Sequence, residues 1–92
     1  HERCIEQKLT KEAKKRGGIA LKFVSPSFAG MPDRLVLLPE GKIGFVELKA
    51  TGQKPRALQR ARHEMLRRLG FKVFVPDNIE EIEEVLNEIQ SP

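Results

Sequence analysis

Asp33-Arg34-Leu35-Val36-Leu37-Leu38-Pro39-Glu40-Gly41-Lys42-Ile43-Gly44-Phe45-Val46-Glu47-Leu48-Lys49 is the stretch whose reading decides the fold. Two short apolar runs flank the turn Pro39-Glu40-Gly41-Lys42, the pattern of an antiparallel hairpin over 33–49. Pro32, just before it, disfavours helix and fixes an extended approach to Asp33. In such a hairpin the start of one strand lies opposite the end of the other. Asp33 and Glu47, fourteen positions apart, can therefore meet at the open end of the sheet. Alternation turns Glu47 and Lys49 to one face and Leu48 to the other.

Outward from the hairpin, residues 2–16 read as a helix, with Ile5, Leu9 and Ala13 on one stripe and Gly17-Gly18 ending it. Ile19, Leu21 and Phe23 alternate in a strand at 19–24, and the Pro- and Gly-containing segment 25–32 is a loop. After a second loop at 50–54, Pro55 fits the first position of a helix that runs to about Leu69. Its expected buried stripe is Leu58, Ala61, Met65, Leu66 and Leu69, and Gly70 stops it. A strand follows at 71–75. Asp77, with Glu80 three residues on, reads as the capping box of a last helix whose stripe is Ile79, Ile82, Val85, Leu86 and Ile89. The expected order is α-β-β-β-α-β-α: one α/β domain over 1–92, a mixed four-stranded sheet flanked by helices.

Charge is unevenly spread along the 92 residues. All 17 Lys and Arg fall in residues 1–76 with 7 acids, a net of +10, while residues 77–92 carry the other 6 acids and no base. A body that basic points to a polyanionic partner, most often nucleic acid, although a solvated basic surface fits composition alone equally well. The acidic last helix is expected to face away from such a partner. One cysteine, Cys4, excludes a disulfide framework and a Cys-based zinc site, and it fits a reducing, cytoplasmic setting. No apolar run approaches ~18 residues, so no membrane-spanning helix is expected, and the charged segment from Glu2 onward does not resemble a signal peptide. Five Phe with no Trp or Tyr offer few platforms for stacking single-stranded bases; backbone charge and duplex shape are the better handles.

The chemistry concentrates in Asp33, Glu47 and Lys49. Two carboxylates beside an ammonium suit a hard divalent cation that also engages phosphate, Mg²⁺ or Mn²⁺. The bland alternative is an exposed Asp and a Glu/Lys pair of the sort many hairpins carry. Glu6, at the border of the first helix's apolar stripe, is a third possible ligand, or equally an i,i+4 partner for a nearby base.

Gly30-Met31-Pro32-Asp33-Arg34, the Glu47-Leu48-Lys49 element and the helical Gln59 closely resemble the PD-(D/E)xK nuclease superfamily. Within it they resemble the small VRR-NUC branch, which includes stand-alone phage proteins and the nuclease domain of Fanconi-associated nuclease. The resemblance covers almost the whole chain. It implies a restriction-endonuclease-like core and a metal-dependent endonuclease acting on branched DNA and leaving 5′-phosphate and 3′-hydroxyl ends.

Carried onto this sequence, the resemblance makes Asp33, Glu47 and Glu6 metal ligands, with the backbone carbonyl of Leu48 completing the set, so that the Leu48 side chain should matter little. It makes Lys49 the residue that positions or activates the attacking water, and Gln59 a neighbour of the site. Arg34 is either a phosphate clamp or a partner for a carboxylate. Lys54, Arg56, Arg60 and His63 are further candidates for DNA contact, His63 sharing a helix face with Gln59. A junction with near two-fold symmetry, such as a Holliday junction, would be matched by a homodimer, with exposed apolar residues such as Phe28 at its contact. Two other readings compete: a non-catalytic nucleic-acid-binding module, and a restriction-type cleavage domain acting on linear duplex.

Overall fold

Alternating apolar residues build the sheet, and its two faces are unequal. In the computed structural model, which describes residues 2–92, the elements are α1 (Glu2–Lys15), β1 (Ile19–Lys22), β2 (Arg34–Leu38), β3 (Lys42–Val46), α2 (Ala57–Arg68), β4 (Lys72–Phe74) and α3 (Ile82–Gln90). Short 3-10 turns lie at Pro39–Gly41 and Ile79–Glu81. His1 falls outside the described residues. The sheet order is β1-β2-β3-β4; the first three strands pair antiparallel, and β3 pairs parallel with β4. That is the expected α/β architecture with a mixed four-stranded sheet.

Even-numbered residues of the hairpin face the main core. Val36, Leu38, Val46 and Leu48 meet Ile5, Leu9 and Ala13 of α1 and Ile82, Val85, Leu86 and Ile89 of α3. Each such side chain removed from water contributes about 1.5–3 kcal/mol. The core therefore clamps both outer helices to one side of the sheet, and α3, the acidic helix, lies there. Leu48 is only 2 % exposed, so its side chain is a core element and does matter, contrary to the expectation. Odd-numbered residues face the other side, where Phe23, Phe45 and Phe71 form a row of edge-to-face contacts with centroids 5.9 and 5.8 Å apart. α2 covers the β4 part of that face.

Several boundaries differ from the sequence reading for physical reasons. β1 stops at Lys22 although Phe23 N–H still donates to Asp33 O, at 2.9 Å. α2 begins at Ala57, two residues past Pro55, because Arg56 is extended and serves as N-cap. Its buried residues are Gln59, His63 and Leu66, whereas Leu58 and Leu69 are exposed. The helix is thus rotated toward a polar contact, away from the stripe that hydrophobicity alone selects. At the last helix the cap is Asn78, not Asp77: the Asn78 side chain accepts from Glu80 N–H, and Glu81 closes the capping box. Asp77 is occupied elsewhere, accepting from Gly52 N–H at 3.1 Å, and Ile79 stays exposed.

Candidate active site

Strand pairing ends where the site begins. Arg34 opposite Val46 is the last β2–β3 pair, and the residue that would next hydrogen-bond across is Pro32, which is buried and has no N–H. Pro32 therefore offers the Leu48 carbonyl no donor, and the Leu48 N–H donates instead to the Asp33 carboxylate, at Oδ1, 3.1 Å away. On the other side of β3 the parallel ladder continues, with Glu47 N–H to Phe74 O at 2.9 Å and Lys49 N–H to Pro76 O at 3.3 Å. Residues 47–49 are thus held in extended form beyond the formal strand, one edge by β4 and the other by Asp33.

Glu47 and Lys49 project together toward α2, as alternation requires, and Gln59 joins them. Gln59 Oε1 accepts from Lys49 Nζ at 3.1 Å and from Arg56 N–H at 2.8 Å. Two donors at Oε1 leave its Nε2 to donate to Glu47 Oε2, at 3.2 Å. Lys49 Nζ is 3.7 Å from the same oxygen. The Arg56 bond is also the N-terminal cap of α2, so one side chain both starts the helix and orders the ion pair.

Glu47 is 5 % exposed, and its second oxygen, Oε1, is buried without a hydrogen-bond partner. Burial, with the nearby Asp33 charge, pushes its pKa above the ordinary 4.5, against the pull of Lys49. An acceptor-only oxygen with no donor, next to a second carboxylate, is a place where a cation lowers the energy.

Glu6 does not join these carboxylates. Its Oε2 accepts from Arg34 Nη2, whose side chain points to the α1 face, while Glu47 and Lys49 occupy the opposite one. Among the described residues no group of three His, Cys, Asp or Glu side chains is placed to hold a metal ion. The expected three-carboxylate set is brought together as Asp33 and Glu47 only, because the guanidinium takes the third.

No family model matches the sequence. The chain is 54 % identical over 77 residues to "Putative nuclease p44" of Acyrthosiphon pisum secondary endosymbiont phage 1, covering 84 % of this chain and 83 % of that one. A solved structure described as a VRR_NUC domain superposes with a TM-score of 0.84 at 31 % identity, covering 90 % of each chain. The chain belongs to the VRR_NUC family.

In this VRR_NUC domain the remaining candidates separate into exposed and engaged residues. Lys54, Arg56 and Arg60 are exposed at the start of α2, Arg60 Nη1 donating to Pro55 O at 2.7 Å. Arg34, with a side chain 14 % exposed, is turned inward onto Glu6 and Asp33, which leaves it poorly placed to clamp phosphate. His63 is 2 % exposed, so it is not a surface contact; its Nε2 has no partner. Burial foremost, then Arg67 and Lys49, holds its pKa below the ordinary 6.5, which keeps the ring neutral.

Sequence reasoning missed how the 25–31 loop is tied to α2. Arg62 lies 3.8 Å over the Phe28 ring and donates from Nε to Ala29 O at 2.8 Å. Gly30, at φ +89, packs so tightly that a Cβ there would sit 2.8 Å from Leu58 Cγ. The only local signal was Gly30 before Met31-Pro32, read as a loop residue. Phe28 is therefore partly covered by its own chain and less available for a protomer contact than expected. No helix among the described residues is long and apolar enough to cross a membrane.

Proposed function

We propose that this protein is a divalent-metal-dependent endodeoxyribonuclease that cleaves branched DNA such as Holliday junctions as a homodimer. The observation that carries the reading is the buried, unpartnered Oε1 of Glu47 beside Asp33, with Lys49 clamped next to it by Gln59. Mg²⁺ or Mn²⁺ would be held by the carboxylates of Asp33 and Glu47 and the carbonyl of Leu48. When bound, such an ion lowers the pKa of a water and neutralises charge building on the phosphoryl group. A relative named as a phage nuclease and the VRR_NUC fold support the nuclease part of this reading.

The chain's own residues do the rest. Lys49, its ammonium fixed by Gln59 Oε1, keeps N–H bonds for the attacking water and the developing phosphoryl charge. Gln59 holds Glu47 and Lys49 in one relative position, which limits rearrangement at the moment of attack. Lys54 and Arg56, just before α2, and Arg60 in its first turn are exposed and suit phosphate contact, which fixes register without reading sequence. A protein this small has little surface for base readout, so shape and deformability of the branch dominate recognition.

The homodimer reading draws on the sheet's second face. Ile19, Leu21, Ile43 and Phe71 remain exposed there, beyond the part that α2 covers, and a second copy across a two-fold axis would bury them. The decisive experiment incubates wild type and Glu47→Ala with a four-way junction, linear duplex and single strand, in Mg²⁺, Mn²⁺ or chelator. Metal-dependent cutting of the junction by wild type alone supports the proposal. Cutting of no substrate, or equal cutting by Glu47→Ala, refutes it, and preference for linear duplex at one short sequence favours a restriction-type enzyme.

A further inference from the structure

One helical turn beyond Gln59, His63 is buried in the same face of α2, with Leu66 a turn further on. Among the described residues two buried side-chain polar atoms lack a hydrogen-bond partner, Glu47 Oε1 and His63 Nε2. Gln59 bonds to the first residue and precedes the second by a turn. A buried ring nitrogen without a partner is costly, and in native proteins such an atom is met by ordered water or held for function. The charges acting on the ring are those of Arg67 and Lys49. Both are donors only, so what a neutral ring offers them is a bare Nε2 acceptor, with its proton on Nδ1. Arg67 spends Nη2 on Val73 O at 2.8 Å. Lys49 has three N–H groups and gives one to Gln59 Oε1, with Glu47 Oε2 further away at 3.7 Å. Its side chain is only 16 % exposed, which leaves little bulk water for the others.

We propose that His63 is a positioning residue that, through one buried water, accepts a hydrogen bond from the Lys49 ammonium and so fixes the direction of its remaining N–H. This inference rests on the nuclease reading above and gives its lysine a second support. The water accepts from Nζ and donates to Nε2, two polar partners being the least a buried water needs. With one N–H on Gln59 and one on that water, the third is aimed at the attacking water and the phosphoryl oxygen instead of being free to rotate. A neutral acceptor achieves this without a second positive charge, which would repel both the lysine and an incoming cation.

The ring is read directly by ¹⁵N NMR of the metal-free protein at pH 7.5. The expected His63 signal is that of the neutral Nδ1–H tautomer, with an Nε2 resonance that moves in Lys49→Ala. A neutral Nε2–H tautomer, or an Nε2 signal indifferent to Lys49→Ala, overturns the proposal.

Single-turnover cleavage of a four-way junction is the second readout. His63→Leu is expected to slow cleavage about tenfold, the scale of one hydrogen bond to a charged group. Its junction binding in chelator and its thermal midpoint should stay at or above wild type, and His63→Phe replaces it if it does not fold. His63→Gln, whose amide oxygen reaches the place of Nε2, should recover most of the rate. In a Lys49→Ala background, His63→Leu should cost less than about twofold more, because the group it positions is gone. A rate loss that tracks a fall in midpoint, or an equal loss in both backgrounds, marks a packing role and overturns the proposal. A wild type that cuts no substrate overturns the nuclease reading, and the catalytic part of this one with it. The NMR response to Lys49→Ala then still decides whether the two side chains are joined.

Discussion

Glu47→Gln should make the metal-free protein more stable while abolishing cleavage. Glu47 is 5 % exposed with one oxygen unpartnered, and a buried charged acceptor left without a donor costs about 1–3 kcal/mol. An isosteric amide keeps an oxygen for Gln59 Nε2 and costs less to bury. It forfeits the 3.7 Å attraction to Lys49, which offsets about 1 kcal/mol of the gain. The net is a stabilisation of about 1 kcal/mol, a rise of about 4–8 °C in thermal midpoint for a domain of this size.

The pH dependence has a definite sign. A carboxyl whose native pKa is raised binds its proton more tightly when folded, so its stability contribution is complete below the ordinary 4.5 and is lost as pH climbs through the native pKa. The gap between Glu47→Gln and wild type should therefore open as pH rises from about 4.5. Mg²⁺ should reverse the order, because a ligand at a hundredfold over its Kd adds about 2.7 kcal/mol to wild type alone. The assay is thermal unfolding by circular dichroism from pH 4.5 to 8, in chelator and in Mg²⁺. A lower midpoint for Glu47→Gln in chelator at pH 7.5, or an equal Mg²⁺ response in both proteins, refutes this reasoning.

Other outcomes follow from the same geometry. Lys49→Ala should keep cation and DNA binding but lose about a hundredfold or more in turnover, read by single-turnover cleavage, whereas Asp33→Ala should lose cation binding itself, read by calorimetry. Gly18→Ala places a Cβ 2.3 Å from Leu37 O beside the β1–β2 pairing, where backbone cannot yield; it should cost about 2 kcal/mol, read as a drop in urea midpoint. Leu21→Lys should convert a dimer to a folded monomer in light scattering, and a wild type that is already monomeric at tens of micromolar counts against the two-fold assembly.

How far the site could be read in advance depends on the kind of signal each residue left. Asp33, Glu47 and Lys49 lie on one hairpin, where strand register and alternation are local rules, so their convergence followed from spacing. α1 behaved the same way, with Ile5, Leu9 and Ala13 buried as its period required. α2 did not. Its buried face carries Gln59 and His63 while Leu58 and Leu69 meet solvent, because the helix docks over a polar site that hydrophobicity cannot anticipate. Arg34 and His63 were candidates for DNA contact, yet both turn inward, since exposure is set by neighbours far along the chain.

By itself the sequence determined the element order, the strand alternation and the pair of carboxylates at the open end of the hairpin. These depend on residues a few positions apart or mirrored across one tight turn. The tertiary structure alone decided the partnerships: Glu6 with Arg34 across 28 positions, and Gln59 with Glu47 and Lys49 across 12 and 10. Those contacts depend on how each helix is rotated when its apolar face seats on the sheet. That rotation minimises the energy of the whole core, and no local pattern encodes it.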